Sequence, residues 1–220
     1  MPLAPLHIVS LDPWGDALAA RYPHAVVSRH RGFSSWPEAR CHVVTCARED
    51  VHFFREVDAF AFEWSLTWAP LVLTPRGVRL GPVVAPGGSA CYHCFLRRWL
   101  QHDKEIGDTR ARLRSVADDA LRTVSGWLPS DVLIAGGLTE TLAAVVDTEA
   151  TKGAGVLNGT VTSYDGISGK LSRDTVIGVH ACPRCRKRSD RNTDTWAGLA
   201  REFPSTSAGA SGPPTSLAAS

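Results

Sequence analysis

Two short cysteine motifs set far apart constrain this chain most: Cys91-Tyr92-His93-Cys94 and Cys182-Pro183-Arg184-Cys185. Each C-x-x-C knuckle lets two sulfurs face one point, and together they supply the four ligands of a tetrahedral structural zinc. Four protein ligands leave no open position for water or substrate, so the motif points to a staple and away from zinc catalysis. Two other readings stand beside it. The cysteines could be reduced and only pack. They could also form disulfides, although no basic-then-apolar secretory signal opens the chain. His93 and His180 flank the knuckles and could each replace a thiolate, though four thiolates make that unnecessary. Cys41 and Cys46 bracket the apolar run His42-Val43-Val44-Thr45 and read as small core residues on or beside a strand, outside the metal site.

The 220 residues suffice for one sizeable core, or a core with a small appendage. Hydrophobic residues make up 44% and charged residues 21%, an ordinary globular balance. A formal net charge of +2 gives no broad electrostatic case for nucleic acid or membrane. No stretch approaches the ~20 apolar residues of a membrane span, so a soluble cytoplasmic protein is expected. From about Ser205 to Ser220 the chain is almost entirely Ser, Ala, Gly, Pro and Thr, with little to bury, and reads as a disordered tail.

Along the chain, Leu6–Leu11, Ala25–Ser28 and His42–Cys46 read as strands. Trp14–Tyr22 reads as a helix, with Asp12 as N-cap and Pro13 at the first helical position, and Asp50–Val57 as a short helix. This alternation predicts an α/β fold whose parallel sheet begins as a doubly wound, Rossmann-like half. A nucleotide site there needs a glycine-rich turn after the first strand. The turn reads Ser10-Leu11-Asp12-Pro13-Trp14-Gly15, with one glycine and a carboxylate that would repel phosphate, and no G-x-x-x-x-G-K-S/T loop follows anywhere. The nucleotide site is therefore read as degenerate.

The aromatics Phe60, Phe62, Trp64 and Trp68 read either as core or as an exposed partner-binding patch. Leu71–Leu73 and Val78–Val84 flank Pro75-Arg76-Gly77 as a hairpin leading to the first knuckle. Helices are expected over Phe95–His102, Asp108–Trp127 and Asp131–Thr148, with Gly136-Gly137 marking close packing or a break in the last. Arg97, Arg98, Arg110, Arg112 and Arg114 form a basic cluster, either a solvated face or a grip for an acidic peptide. Val156–Tyr164 and Lys170–Val179 read as strands delivering the chain to the second knuckle. There Arg184, Arg186, Lys187 and Arg188 either support thiolates or form a solvated turn. Thr195–Phe203 reads as a short helix.

The run Gly81-Pro82-Val83-Val84-Ala85-Pro86-Gly87-Gly88-Ser89-Ala90-Cys91-Tyr92-His93-Cys94 resembles the G-P-x-x-x-P-G-x-x-x-C-x-x-C passage of ThiF-like proteins of peptide natural-product clusters. His180-Ala181-Cys182-Pro183-Arg184-Cys185 resembles their closing H-x-C-P-x-C pair. The resemblance runs from about Leu6 to Cys185, and its N-terminal third matches only in strand–helix rhythm. It implies a Rossmann-like ThiF-type sheet, similar to the adenylating domain of ubiquitin-activating-type enzymes, and a structural zinc tetrathiolate held by Cys91, Cys94, Cys182 and Cys185. It implies one ThiF-like domain over residues 1–204, with a half-Rossmann part to about 75, a zinc-tied part over about 76–190 and a disordered tail over 205–220. In this family the ATP-driven ring chemistry belongs to a YcaO-type cyclodehydratase, and the ThiF-like member presents the precursor's leader peptide through an N-terminal winged-helix clamp. This chain opens directly in a sheet strand. The clamp is then expected on another polypeptide, or the aromatics at 60–68 serve instead. No catalytic residue carries over. The expected role is a non-catalytic partner in thiazole- and oxazole-modified peptide biosynthesis, as a homodimer if it pairs like related domains. An active ThiF-like adenylyltransferase and a zinc-ribbon nucleic-acid binder are the alternatives.

Overall fold

Asp12 accepts the Gly15 N–H at 2.9 Å and Pro13 opens the first turn, so helix α1 runs over Pro13–Ala19 directly after strand β1, His7–Ser10. Strands β2, Val26–Ser28, and β3, His42–Cys46, follow. Asp50 accepts the Phe53 N–H at 3.0 Å and starts α2, Val51–Glu63. That helix outruns the expected 50–57 because Ala61 still lies on its buried face. It stops before Ser65, which adopts a positive φ of 55°. Strands β4, Trp68–Thr74, and β5, Gly77–Leu80, precede α3, Tyr92–His102, and α4, Pro129–Glu149. Strands β6, Thr160–Asp165, and β7, Lys170–Thr175, end the series. In this computed structural model, residues 6–88, 90–102, 107, 126–149, 157–180 and 182–185 are described. The chain divides into Met1–Arg188 and Ser189–Ser220, and every described residue lies in the first unit. Residues 108–125 of the expected helix 108–127, the expected helix 195–203, Arg110, Arg112, Arg114, Arg186, Lys187, Arg188 and the tail 205–220 fall outside the described residues, and Gly126 and Trp127 are not helical.

The strands form one seven-stranded mixed sheet in the order β2-β1-β3-β4-β5-β6-β7. The first four run parallel, and β5, β6 and β7 add antiparallel. Parallel strands covered on both faces read as continuous apolar runs, and alternate residues of β1, β3 and β4 serve two separate cores. Ile8, Val43 and Leu71 pack with Trp14, Leu18 and the α4 residues Val132, Ala135 and Leu142. Val9, Val44 and Val72 pack with Phe53, Phe54 and Val57 of α2 and with Tyr92 and Phe95 of α3. On this second face the buried His7 and His42 meet, Nδ1 to Nδ1 at 2.9 Å, under the indole of Trp36.

One strand ends earlier than the sequence reading, and an alternative left open in α4 is resolved. The strand expected over Val78–Val84 ends at Leu80, because Gly81 turns at φ 102° into a cis bond with Pro82; Val84 then makes one isolated bridge with Trp68. A Cβ on Gly81 would lie 2.3 Å from the Thr160 carbonyl oxygen, so the close approach of this turn to β6 requires glycine. Gly136-Gly137 does not break α4. The Gly136 carbonyl accepts the Tyr22 hydroxyl at 2.7 Å, so this point is close packing against the end of α1. The Pro129–Val146 window of α4 has the length and apolar composition of a membrane span, with mean hydropathy 1.2, and packs against α1 and β5.

Candidate metal centre and nucleotide crevice

The β5–α3 passage delivers the first knuckle. Cys91 sits immediately before α3, its carbonyl accepting the Phe95 N–H at 3.1 Å, and Cys94 lies in the first turn, so both sulfurs share one helix face. The second knuckle follows β7 as a turn, closed by the Cys182 N–H donating to the Val179 carbonyl at 3.1 Å. The four sulfurs lie within 4.8 Å of one another, with Cys91–Cys94 at 3.7 Å, Cys91–Cys182 at 3.8 Å and Cys94–Cys185 at 3.5 Å. Four sulfurs about 2.3 Å from a central zinc sit about 3.8 Å apart. All four cysteines are buried and unbridged, and the donor set fits a soft or borderline cation. Hydrogen bonds from Cys185 and Cys91, joined by the Val179 N–H at 3.3 Å, pull the Cys94 thiol well down. The same network pushes Cys91 up. Cys185 is lowered by its contact with Cys91, but its bond to Cys94 and its burial outweigh this and push it up to about 12. Binding of a divalent cation by these sulfurs would release their thiol protons.

Among the described residues the cluster consists of these four cysteines. His93 and His180 stay outside it. Cys41 and Cys46 belong to the cores beside and on β3, and burial pushes both thiols up to about 12.

Two buried polar contacts missed by sequence reading brace the first knuckle. Asp58 of α2, 2% exposed, accepts the Tyr92 N–H at 3.2 Å, capping α3 from outside its own segment, and its other oxygen lies 3.7 Å from Arg184 of the second knuckle. Arg79 of β5, 7% exposed, pairs with Glu49, which also accepts the Tyr92 hydroxyl. The Arg79 guanidinium lies 4.6 Å from the centre of the Phe95 ring. A charged residue inside the apolar run Gly77-Val78-Arg79-Leu80 was the available signal for the second contact. Asp58 had none, since its partners come from two distant segments.

The crevice where a doubly wound sheet binds nucleotide lies outside the C-terminal ends of β1 and β3, whose crossovers pass to opposite faces. Here the Asp12 carboxylate accepts the N–H groups of Gly15 at 2.9 Å and of Ala47 just past β3. Gly15 also lacks space for a side chain, since its Cβ would lie 2.2 Å from Thr45 Oγ1. The Gly15 and Ala47 amides at this point are thus engaged by an internal carboxylate.

The four aromatics separate. Trp68 is fully buried, paired across the sheet end with Val84, so the expectation that it faces a partner is corrected. Phe60 and Phe62 are half-buried, and Trp64 is 65% exposed. Phe60 stacks on Phe33 with centroids 4.6 Å apart and meets Trp64 at 6.0 Å, a ladder running from the α2 core to the surface. Arg97 is exposed and Arg98 half-buried on α3.

No family model matches this chain, and no curated protein matches it in sequence. Solved structures do. A heterocyclase in complex with substrate and cofactor matches at TM-score 0.60 and 21% identity, over 83% of this chain and 25% of its own. The heterocyclase TruD matches at 0.62 and 18%, over 87% and 29%. A chain of the E. coli microcin synthetase McbBCD complex matches at 0.60 and 15%, over 83% and 69%. The chain thus spans between a quarter and a third of the heterocyclase chains. At these identities the likeness is one of fold: a seven-stranded mixed α/β sheet of the kind found in heterocyclase and microcin-synthetase proteins.

Proposed function

We propose that this chain is a ThiF-like partner protein that supports a YcaO-type cyclodehydratase in the biosynthesis of thiazole- and oxazole-modified peptides of bacteriocin or thiopeptide type. The observation that carries this reading is the shared fold with heterocyclase chains and a chain of a microcin synthetase complex, and it is supported by the Asp12 carboxylate taking the Gly15 and Ala47 amides after β1 and β3. A partner whose amides there are already engaged contributes binding and positioning, and the ATP chemistry falls to the cyclodehydratase. Cys91, Cys94, Cys182 and Cys185 hold a zinc that supplies structure alone, since four thiolates complete its coordination. The half-buried Phe60 and Phe62 and the exposed Trp64 offer apolar area to a leader peptide or to the cyclodehydratase. The functional unit is a cytoplasmic domain that includes Met1–Arg188.

Affinity capture with a YcaO-type cyclodehydratase tests the reading. A complex retained at micromolar concentration is expected, weakened by Trp64→Ala, and no retention overturns it. Pyrophosphate exchange with ATP discriminates the adenylyltransferase alternative. Exchange at background level is expected, and ATP-dependent turnover would replace the partner reading with that alternative.

A further inference from the structure

The far edge of the sheet carries a second interaction surface. Strand β7 pairs with β6 on one side and, among the described residues, with nothing on the other. The Val176 N–H donates to the Gly159 carbonyl at 2.8 Å in the same register that pairs Thr160 with Thr175. In an antiparallel ladder, residues alternate between facing the neighbouring strand and facing away. The main-chain groups of Lys170, Ser172 and Asp174 therefore point to β6, and those of Leu171, Arg173 and Thr175 point outward. Leu171 is 60% exposed, and Ile167 in the preceding turn is 76% exposed.

An open edge of this kind is usually blunted by charge. The charges here match themselves. When two β7 strands lie antiparallel about a two-fold axis through Ser172, Lys170 of each copy stands opposite Asp174 of the other. The outward groups of Leu171 then bond those of Arg173. A shift by two residues in one direction sets Arg173 against Arg173, and in the other sets Lys170 against Ser172, so the ion pairs select one register. We propose that a second copy of this chain docks on β7 in that register, joining two seven-stranded sheets into one. This pairing is independent of the azole-peptide reading and of the metal centre.

Sedimentation equilibrium of the full chain, with its metal centre loaded, tests it. A concentration-dependent monomer–dimer equilibrium is expected. Lys170→Asp and Asp174→Lys each turn two attractions into two repulsions and should raise the dissociation constant roughly tenfold or more. The double variant should restore wild-type association. Both side chains are exposed, so far-UV circular dichroism should stay unchanged. Ser172→Cys gives an independent readout. Residues facing each other in a non-hydrogen-bonded pair lie about 4.5 Å apart at Cα, within disulfide reach, so oxidation should yield a covalent dimer that Leu171→Cys does not. A monomer at every concentration overturns the proposal. So does a dimer indifferent to charge reversal, and so does equal cross-linking from positions 171 and 172.

Discussion

His7 and His42 begin neighbouring parallel strands, fully buried with their Nδ1 atoms 2.9 Å apart. One donates and the other accepts, which requires a neutral ring on at least one side, and His7 Nε2 is engaged with Ser28 Oγ at 2.9 Å. Burial, aided at His7 by the charge of its neighbour His42, lowers both from 6.5 to about 4. Above pH 6.5 both are neutral whether folded or unfolded, and the pair costs nothing. Between pH 6.5 and 4 the unfolded chain binds protons that the folded chain refuses, so stability falls as pH falls, by about 3 kcal/mol per histidine. Urea unfolding across that window should show the slope, and His42→Gln should roughly halve it. A second prediction concerns Arg79. Arg79→Met leaves the Glu49 carboxylate buried beside Tyr92 without its partner and should destabilise the protein by about 3–5 kcal/mol in urea unfolding. Adding Glu49→Gln should recover part of that loss.

At the scale of elements, β1, α1, β2 and β3 were legible because their signals are local: apolar runs for buried parallel strands, and the Asp12-Pro13 start of α1. The knuckles were legible because spacing alone makes two sulfurs converge. Less legible was whatever depended on a distant partner. Trp68 looked like the neighbouring aromatics, yet the return of Val84 across the sheet end buries it. The end of β5 at Leu80 followed from the approach of Gly81 to Thr160, a contact between segments far apart in sequence. Asp58 is the strongest such case, since it joins α2, the start of α3 and Arg184. Asp58→Ala removes an external N-cap and an anion beside the knuckle and should cost about 1–3 kcal/mol, read by thermal unfolding. Asp58→Asn keeps an acceptor for the Tyr92 N–H and should lose less.

For the whole molecule, the cysteine centre is where the middle of the chain meets the last described residues. Cys91 and Cys94 stand at the start of α3, while Cys182 and Cys185 arrive only after β7 has been laid on the sheet. A bound cation closes this long loop and so stabilises the fold against an unfolded chain that holds no such site. Chelation should release about one zinc per chain by the four-ligand count and lower the melting temperature by about 10 °C or more. Free-thiol titration should count four newly reactive cysteines after chelation, and the same reactivity before chelation would refute the metal centre.

That arrangement also sets an order of events at the ribosome. The first knuckle is synthesised long before the second, an interval of roughly five to twenty seconds at ordinary elongation rates. Until Cys185 emerges, Cys91 and Cys94 hold only half a coordination sphere. The nascent chain therefore exposes a paired thiol to any metal or oxidant in its surroundings, and synthesis of the second knuckle decides whether a metal ion finds four ligands.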